Sequence, residues 1–408
     1  MNAQAETLAG LDADLGRLRD LYAQLHRKPE LSMQEHRAAA VVEAQLGEFG
    51  YDVIRLGGTG VVGVLTNGEG PAVLARADLD ALPVTEATGL PYSSEVDGVM
   101  HACGHDLHVT ALLGAAKLLA GARKSWSGTY LALFQPGEET GAGAQAMLDD
   151  GLVAKIPKPD VAFSQHVMPL PAGTVATAAG PVLSAGDSLK ITVYGAGAHG
   201  SMPHLAVDPV VLASSIVLRL QTVVSRETRP GDFAVVTVGA LNAGTKSNII
   251  PDRATLLVNI RTYDLELRER VLASIRRIVT GECAAAASPR PPEFEAYDQF
   301  PLTSNDAVVN DRVTAAFVEQ FGAEAVTVAD RQTASEDFSR IPDAFGTPYT
   351  YWMLGGADPE VFDAASRKGT IAQDIPANHS PLFAPALDPT LSVGVQAHVV
   401  AALSYLAP

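Results

Sequence analysis

SLKITVYG at 188–195 and PEFEAYDQF at 292–300 bound the segment whose reading decides the fold. In the first, Leu189, Ile191 and Val193 alternate with Lys190, Thr192 and Tyr194, the period of a half-buried strand. VDPVVLASSIVLRLQTVV (207–224) spaces its apolar residues like a helix, FAVVTVGAL (233–241) and ATLLVNIRT (254–262) read as strands, and LELRERVLASIRRIVT (265–280) is again helical. With PEFEAYDQF as the last strand, the order is βαββαβ over about 110 residues, a split βαβ pattern that makes a small two-layer domain.

The flanks have a different character. LDADLGRLRDLYAQLH (11–26) and HRAAAVVEAQLGEFG (36–50) are helical, while AVLARADL (72–79) and GTYLALFQ (128–135) are strands. Alternating strands and helices predict an α/β domain with a doubly wound, mostly parallel sheet. After residue 301 the chain returns to a helix at DRVTAAFVEQFG (311–322), a strand at TPYTYWML (347–354) and a closing helix at LSVGVQAHVVAALSYL (391–406). The first domain is therefore expected in two parts, 1–186 and 302–408, with the smaller domain inserted as 187–301. Gly58, Gly60 and Gly63 spell a dinucleotide-binding pattern, but VVGVLTNGEG after them reads as strand and turn, so a hairpin bend is expected there.

Composition narrows the function classes. A formal charge of −17 disfavours a nucleic-acid partner, which needs clustered cations to displace counterions. VMPLPAGTVATAAGPVLSAG (167–186) is uncharged, but its prolines and glycines break it as a membrane helix. The N-terminus has no basic start and no apolar core, so a cytoplasmic address without a signal peptide is expected. There are only two cysteines; Cys283 falls in a helical pattern, where a small buried hydrophobe suffices.

Cys103 needs another reason. It lies in MHACGHDLH (100–108), two residues before His105, where HDLHVTALLGAAKLLA begins a helix. Residues two apart do not share a helix face, so the pair belongs at the helix entry, where free N–H groups favour a thiolate. A thiolate and an imidazole suit a borderline metal such as zinc. In LALFQPGEETGAGAQAM (131–147), Glu138 and Glu139 follow a strand and a Pro-Gly break; adjacent carboxylates diverge, so one can bind a metal while its neighbour reaches water. They equally suit the start of the next helix. His166 is expected at the end of the strand DVAFSQHVMP (160–169), and His379 in the Pro-bounded loop IPANHSPLF (375–383). In a doubly wound sheet such strand ends converge on one crevice. The inserted domain adds His199 in VYGAGAHGSMPH, Asn248 in SNIIP and Arg261 in VNIRT; Arg261 suits either a carboxylate clamp or a surface ion pair. No nucleophile-elbow pattern surrounds Ser201, which disfavours a Ser-His nucleophile.

With these residues in view, the chain resembles the M20 metallopeptidase and aminoacylase family, in its N-acyl-amino-acid amidohydrolase branch, which includes auxin-conjugate and hippurate hydrolases. LHRKPELSMQEH, RADLDALP, MHACGHDLH, QPGEET, QHVMP, AHGSMPH, NIIPDRA, SEDF and NHSPLF stand in the family's order over nearly the whole chain. MHACGHDLHVTALLGA and VVTVG also resemble bacterial aminoacylases that cleave N-acyl-glutamine. The resemblance implies hydrolysis of N-acyl-L-amino acids at two divalent ions per subunit, zinc first, with manganese, nickel or cobalt as alternatives. It implies Cys103 as bridging thiolate, His105, Glu139, His166 and His379 as further ligands, and Glu138 as general base. It also implies that the inserted domain is a lid and homodimerisation domain whose His199 reaches the partner's site, with Asn248 and Arg261 on the substrate carboxylate. Arg76 stands where many members outside this branch have a ligand histidine, so Asp78, lacking that histidine to orient, is assigned no role. A dipeptidase, a diaminopimelate-type deacylase and a non-catalytic metal or ligand binder on the same fold are the alternatives.

Overall fold

The computed structural model describes residues 3–407, which form two compact units. The first runs to Val182 and takes up again at Ser304–Asp330 and from Asp337 onward. Its eight-stranded sheet has the order Asp52–Leu56, Gly60–Asn67, Gly128–Gln135, Ala72–Asp78, Val161–Pro171, Tyr349–Ala357, Val175–Thr177, Val326–Val328. The four central strands are mutually parallel. Tyr349–Ala357 beside Val161–Pro171 shows that the last third of the chain completes the sheet. Asp52–Leu56 and Gly60–Asn67 are an antiparallel hairpin, with Gly57 and Gly58 at positive φ in the bend, so the glycine pattern there makes a turn.

One face of the sheet is covered by the helices Leu11–Arg27, His105–Gly121 and Leu387–Leu406, whose Leu18, Leu112, Leu113, Leu391, Val395 and Val399 are fully buried in one apolar cluster. Truncating any of these leucines to alanine costs about 2–5 kcal/mol. This packing fixes the His105–Gly121 helix, and with it the place of its first residue.

The second unit is a four-stranded antiparallel sheet, Ala234–Ala243, Arg253–Thr262, Ala185–Tyr194, Glu293–Phe300, with the helices Pro209–Thr222 and Leu265–Ala285. In Arg253–Thr262, Ala254, Leu256, Val258 and Ile260 alternate inward and meet Leu212, Ile216, Ile275 and Val279 of the helices. Asp208 and Asp264 cap the two helices through the N–H groups of Val210 and Leu267. Cys283 is buried in this core. Arg331–Glu336 also packs with this unit, although it follows the return to the first domain in the chain. The cause is pairing: the N–H of Ser184 donates to the carbonyl of Ala334 at 2.9 Å, and the Ser184 hydroxyl reaches that of Thr333. No helix among the described residues is long and apolar enough to cross a membrane.

Candidate metal centre

Cys103 and His105 meet where the chain enters the His105–Gly121 helix. Gly104 between them has φ +86°, and a Cβ there would lie 2.3 Å from Val167 Cγ1 and 3.4 Å from Phe383 Cε1, so only glycine passes. Glu138 and Glu139 open a 3-10 turn after Gln135, the last residue of a central strand. His166 differs from its sequence placement: its strand runs on to Pro171, so it is internal rather than terminal. It is nevertheless free on one side, because pairing with Ala72–Asp78 stops at Ser164. His379 has φ +70° in its loop, and its N–H donates to the carbonyl of Ala102 at 2.8 Å, tying it to the cysteine's own loop.

The fold brings all five expected ligands together. Cys103, His105 and His166 form one set of donor atoms within 4.8 Å of one another; Cys103, Glu139 and His379 form a second; His105, Glu138 and Glu139 form a third. Cys103 Sγ lies 3.3 Å from His166 Nε2, and His379 Nε2 lies 3.3 Å from Glu139 Oε1. His105 Nε2 is buried without a hydrogen-bond partner, 3.9 Å from Glu139 Oε1 and 4.0 Å from Glu138 Oε2.

That orphaned nitrogen, aimed at a thiol and two carboxylates, fits a cation. The charges agree. Cys103 and then Glu139 raise His379 to about 10 against the opposing effect of burial, so a proton is held where a metal would sit. Burial opposes charge on His105, but Asp78, Asp80 and Cys103 outweigh it and hold the imidazole well above its usual value. His166 goes the other way, pushed well down by burial and then by His108, which leaves Nε2 a neutral donor. Its Nδ1–H donates to the Val167 carbonyl at 2.8 Å. Mixed sulfur, nitrogen and oxygen donors suit a divalent transition metal.

Three supports were missed or misread in the sequence. Asp78 does orient a histidine: His108 Nδ1 lies 2.6 Å from Asp78 Oδ1, while His108 Nε2 accepts the Val167 N–H at 2.8 Å, beside His166. Arg76, wholly buried, donates to Asp78 Oδ2 at 2.8 Å and to Gln135 Oε1 at 3.0 Å, so it neutralises carboxylates instead of binding metal. Asp80 joins two expected ligands: Oδ1 lies 3.2 Å from His105 Nδ1, and Oδ2 accepts the Glu139 N–H at 3.0 Å and the Ser32 hydroxyl at 2.7 Å. Its only signal in the sequence was a second acid just past an apolar strand, in RADLDALP.

The other expected residues belong to the second unit. Ala198–His199 pairs antiparallel with Ile249–Ile250, so His199 and Asn248 sit together. They line an open cleft of about 830 Å³ with Asn242, Thr245 and Arg253. His199 is exposed, and its Nδ1 accepts the Ser201 N–H at 3.2 Å and lies 2.7 Å from Ser201 Oγ. Arg261 is not with them. It lies eight residues beyond Arg253 on one extended strand, about 26 Å away, with Nε donating to Asn259 Oδ1 at 2.9 Å and Nη1 to the Ser335 hydroxyl.

A transition-metal donor set with a second carboxylate beside it, at the carboxyl ends of a mostly parallel sheet, defines the class as a metal-dependent hydrolase. Residues 74–368 match peptidase family M20/M25/M40. The chain belongs to that family, in the aminoacylase and amidohydrolase branch that cleaves linear amides. It is 43% identical over 250 residues to the N-acetyl-L-cysteine deacetylase of Bacillus subtilis, a match that covers 60% of this chain and 59% of that one. It is 40% identical over 327 residues to the hippurate hydrolase of Campylobacter jejuni, covering 79% and 84%. Among solved structures, the Bacillus subtilis YXEP protein, a dinuclear metal binding peptidase of the M20 family, superposes with a TM-score of 0.78 at 29% identity, covering 96% of this chain and 98% of that one.

Proposed function

We propose that the protein hydrolyses N-acyl-L-amino acids to a carboxylic acid and a free amino acid, as a cytoplasmic homodimer with two divalent ions per subunit, zinc in the first place. The observation that carries the reading is the pair of adjacent glutamates at His105 Nε2, of which Glu139 also reaches His379. Glu139 Oε1 faces His379 Nε2, while Glu138 Oε2 stays 4.0 Å from His105 Nε2. Two ions are supported by the two donor sets that meet in Cys103.

Bound there, the ions would supply Lewis acidity to the scissile carbonyl and acidify water. Glu138 accepts the proton of the attacking water and passes it to the leaving amine as the C–N bond breaks. His199, whose Nδ1 is an acceptor toward the Ser201 N–H, keeps its proton on Nε2 and offers it as a hydrogen bond to the oxyanion. Arg261 and Asn248 hold the carboxylate.

The strand that separates Arg261 from the His199 cleft supports a shared site, in which His199 and Asn248 of one subunit serve the partner. The outer face of Pro209–Thr222 supports the dimer: Val211 and Leu218, seven residues apart on one helix face, are 63% and 74% exposed, and the edge strand Ala234–Ala243 has one side unpaired in the sheet. The test is a hydrolysis screen of N-acetyl, long-chain acyl and benzoyl amino acids, with dipeptides and acyl-diaminopimelates alongside, on metal-reconstituted protein of measured metal content. Turnover confined to dipeptides would sink the proposal.

A further inference from the structure

LHRKPELSMQEH (25–36) supplies no ligand and no base, yet its penultimate residue is a buried acid that the mechanism leaves unused. Glu35 is wholly buried between the hairpin and the turn that carries Glu138 and Glu139. Its Oε1 accepts the N–H of Gly137 at 2.8 Å and that of Met33 at 2.8 Å, and its Oε2 accepts the Thr59 hydroxyl at 2.5 Å. Gly137 immediately precedes Glu138 and has φ +53°; a Cβ there would lie 2.6 Å from Met33 Sδ, so the same segment also packs against the turn. Two residues later the Glu139 N–H is held by Asp80, which Ser32 of this segment holds in turn.

We propose that Glu35 is a positioning residue of the metal centre: through the Gly137 N–H it fixes the turn that aims Glu138 at water and Glu139 at the metal. The segment is thus a brace applied from outside the matched region 74–368. The argument is geometric. In a turn with glycines at 137, 141 and 143, Thr140 and Gly143 bond only the Gly137 carbonyl from within the turn, while Glu35 holds the Gly137 N–H from a distant segment. Buried carboxylates that accept several N–H and O–H groups hold geometry tightly, because each donor would be costly to strand.

The inference rests on the assigned roles of Glu138 and Glu139, and the test separates the two. Cobalt(II) affinity is measured on the full chain by chelator competition, beside kcat and KM on the best substrate of the screen. Glu35→Ala is expected to weaken cobalt binding by about 10- to 100-fold. It is also expected to lower kcat by about 100-fold with KM changed less than about twofold. Glu35→Gln, which keeps an acceptor for Gly137 and a partner for Thr59, should restore both. With metal held saturating, Glu35→Ala in a Glu138→Gln background should lower kcat no further, because the base it places is gone, while the loss of cobalt affinity through Glu139 persists. Should Glu35→Ala fail to fold, Glu35→Asp, too short to reach Thr59 and Gly137 together, carries the same expectation. Parental cobalt affinity and kcat in the folded variant, a Gln variant no better than Ala, or additive losses of kcat in the double variant would overturn the proposal. A parent that binds cobalt and hydrolyses nothing defeats the hydrolase reading instead, and the cobalt arm alone then decides Glu35.

Discussion

His105 and His199 are both assigned to one reaction, and their surroundings are opposite. His105 is buried, gripped at Nδ1 by Asp80, and leaves Nε2 unpartnered among thiol and carboxylates. His199 is exposed on a two-residue strand paired with Ile249–Ile250, and its ring meets Ser201 of its own loop. The first region is finished before substrate arrives; the second is a set of groups displayed to solvent. Stiff supports belong where ligand geometry must be exact to fractions of an ångström, and mobility where a group must arrive after binding.

The sharpest test of the finished region is Glu138→Gln. Metal content should stay while kcat falls by about 10²–10⁴-fold; Glu139→Ala should lose metal as well. Equal metal content in the two variants would erase the division between them. In the displayed region, His199→Ala should cost about 10²–10³-fold in kcat with metal retained. Mixing it with Glu138→Gln protein should bring back part of the activity, since each hybrid dimer holds one intact site. No recovery after proven subunit exchange would confine His199 to its own subunit.

Arg261→Ala should act mainly on KM, raising it by about 10- to 100-fold, the worth of hydrogen bonds to a charged carboxylate. A substrate with a carboxamide in that place should show no such penalty. Gly104→Ala strikes the finished region at its hinge, where positive φ and the Val167 contact exclude a Cβ; a loss of about 1–3 kcal/mol should appear in thermal melts. An unchanged melting temperature would mean that the helix entry yields.

The smallest effect concerns pH. Asp14 pairs with Arg17 and with Lys117 of the His105–Gly121 helix. Burial raises its carboxyl, but Arg17 and then Lys117 outweigh burial and hold it below the usual range. A depressed folded-state value gives stability that is present above the unfolded value of about 3.9 and lost as pH falls through the folded one. The two cations are 33% and 38% exposed and screened by solvent, so the effect is under about 1 kcal/mol. Urea unfolding of Asp14→Asn should therefore show a deficit at pH 7 that narrows as pH falls below about 3.9.

The same contrast explains what could be read in advance. The inserted βαββαβ unit and the parallel sheet were legible because Arg253–Thr262 and Ala72–Asp78 carry clear apolar patterns. The candidate ligands stood out because Cys, His and paired Glu are conspicuous at strand ends and loops, and the fold brings them together. Asp80, Glu35 and the Asp78–His108 pair were not legible, because a buried acid looks like any other acid until its partners are known, and those partners, side chains and backbone N–H groups alike, come mostly from distant parts of the chain. The packing of Arg331–Glu336 against Ser184 was hidden for the same reason: no pattern in either segment announces a pairing across about 150 positions.

The strand Arg253–Thr262 has a consequence for kinetics. Under the proposed shared site, with His199 near one end of that strand and Arg261 at the other, an isolated chain would own two incomplete half-sites, and catalysis would become a property of encounters. Specific activity should then fall on dilution below the dimer's dissociation constant and rise again on concentration, so that the amount of enzyme in a cell sets not only how much activity there is but whether each molecule has any.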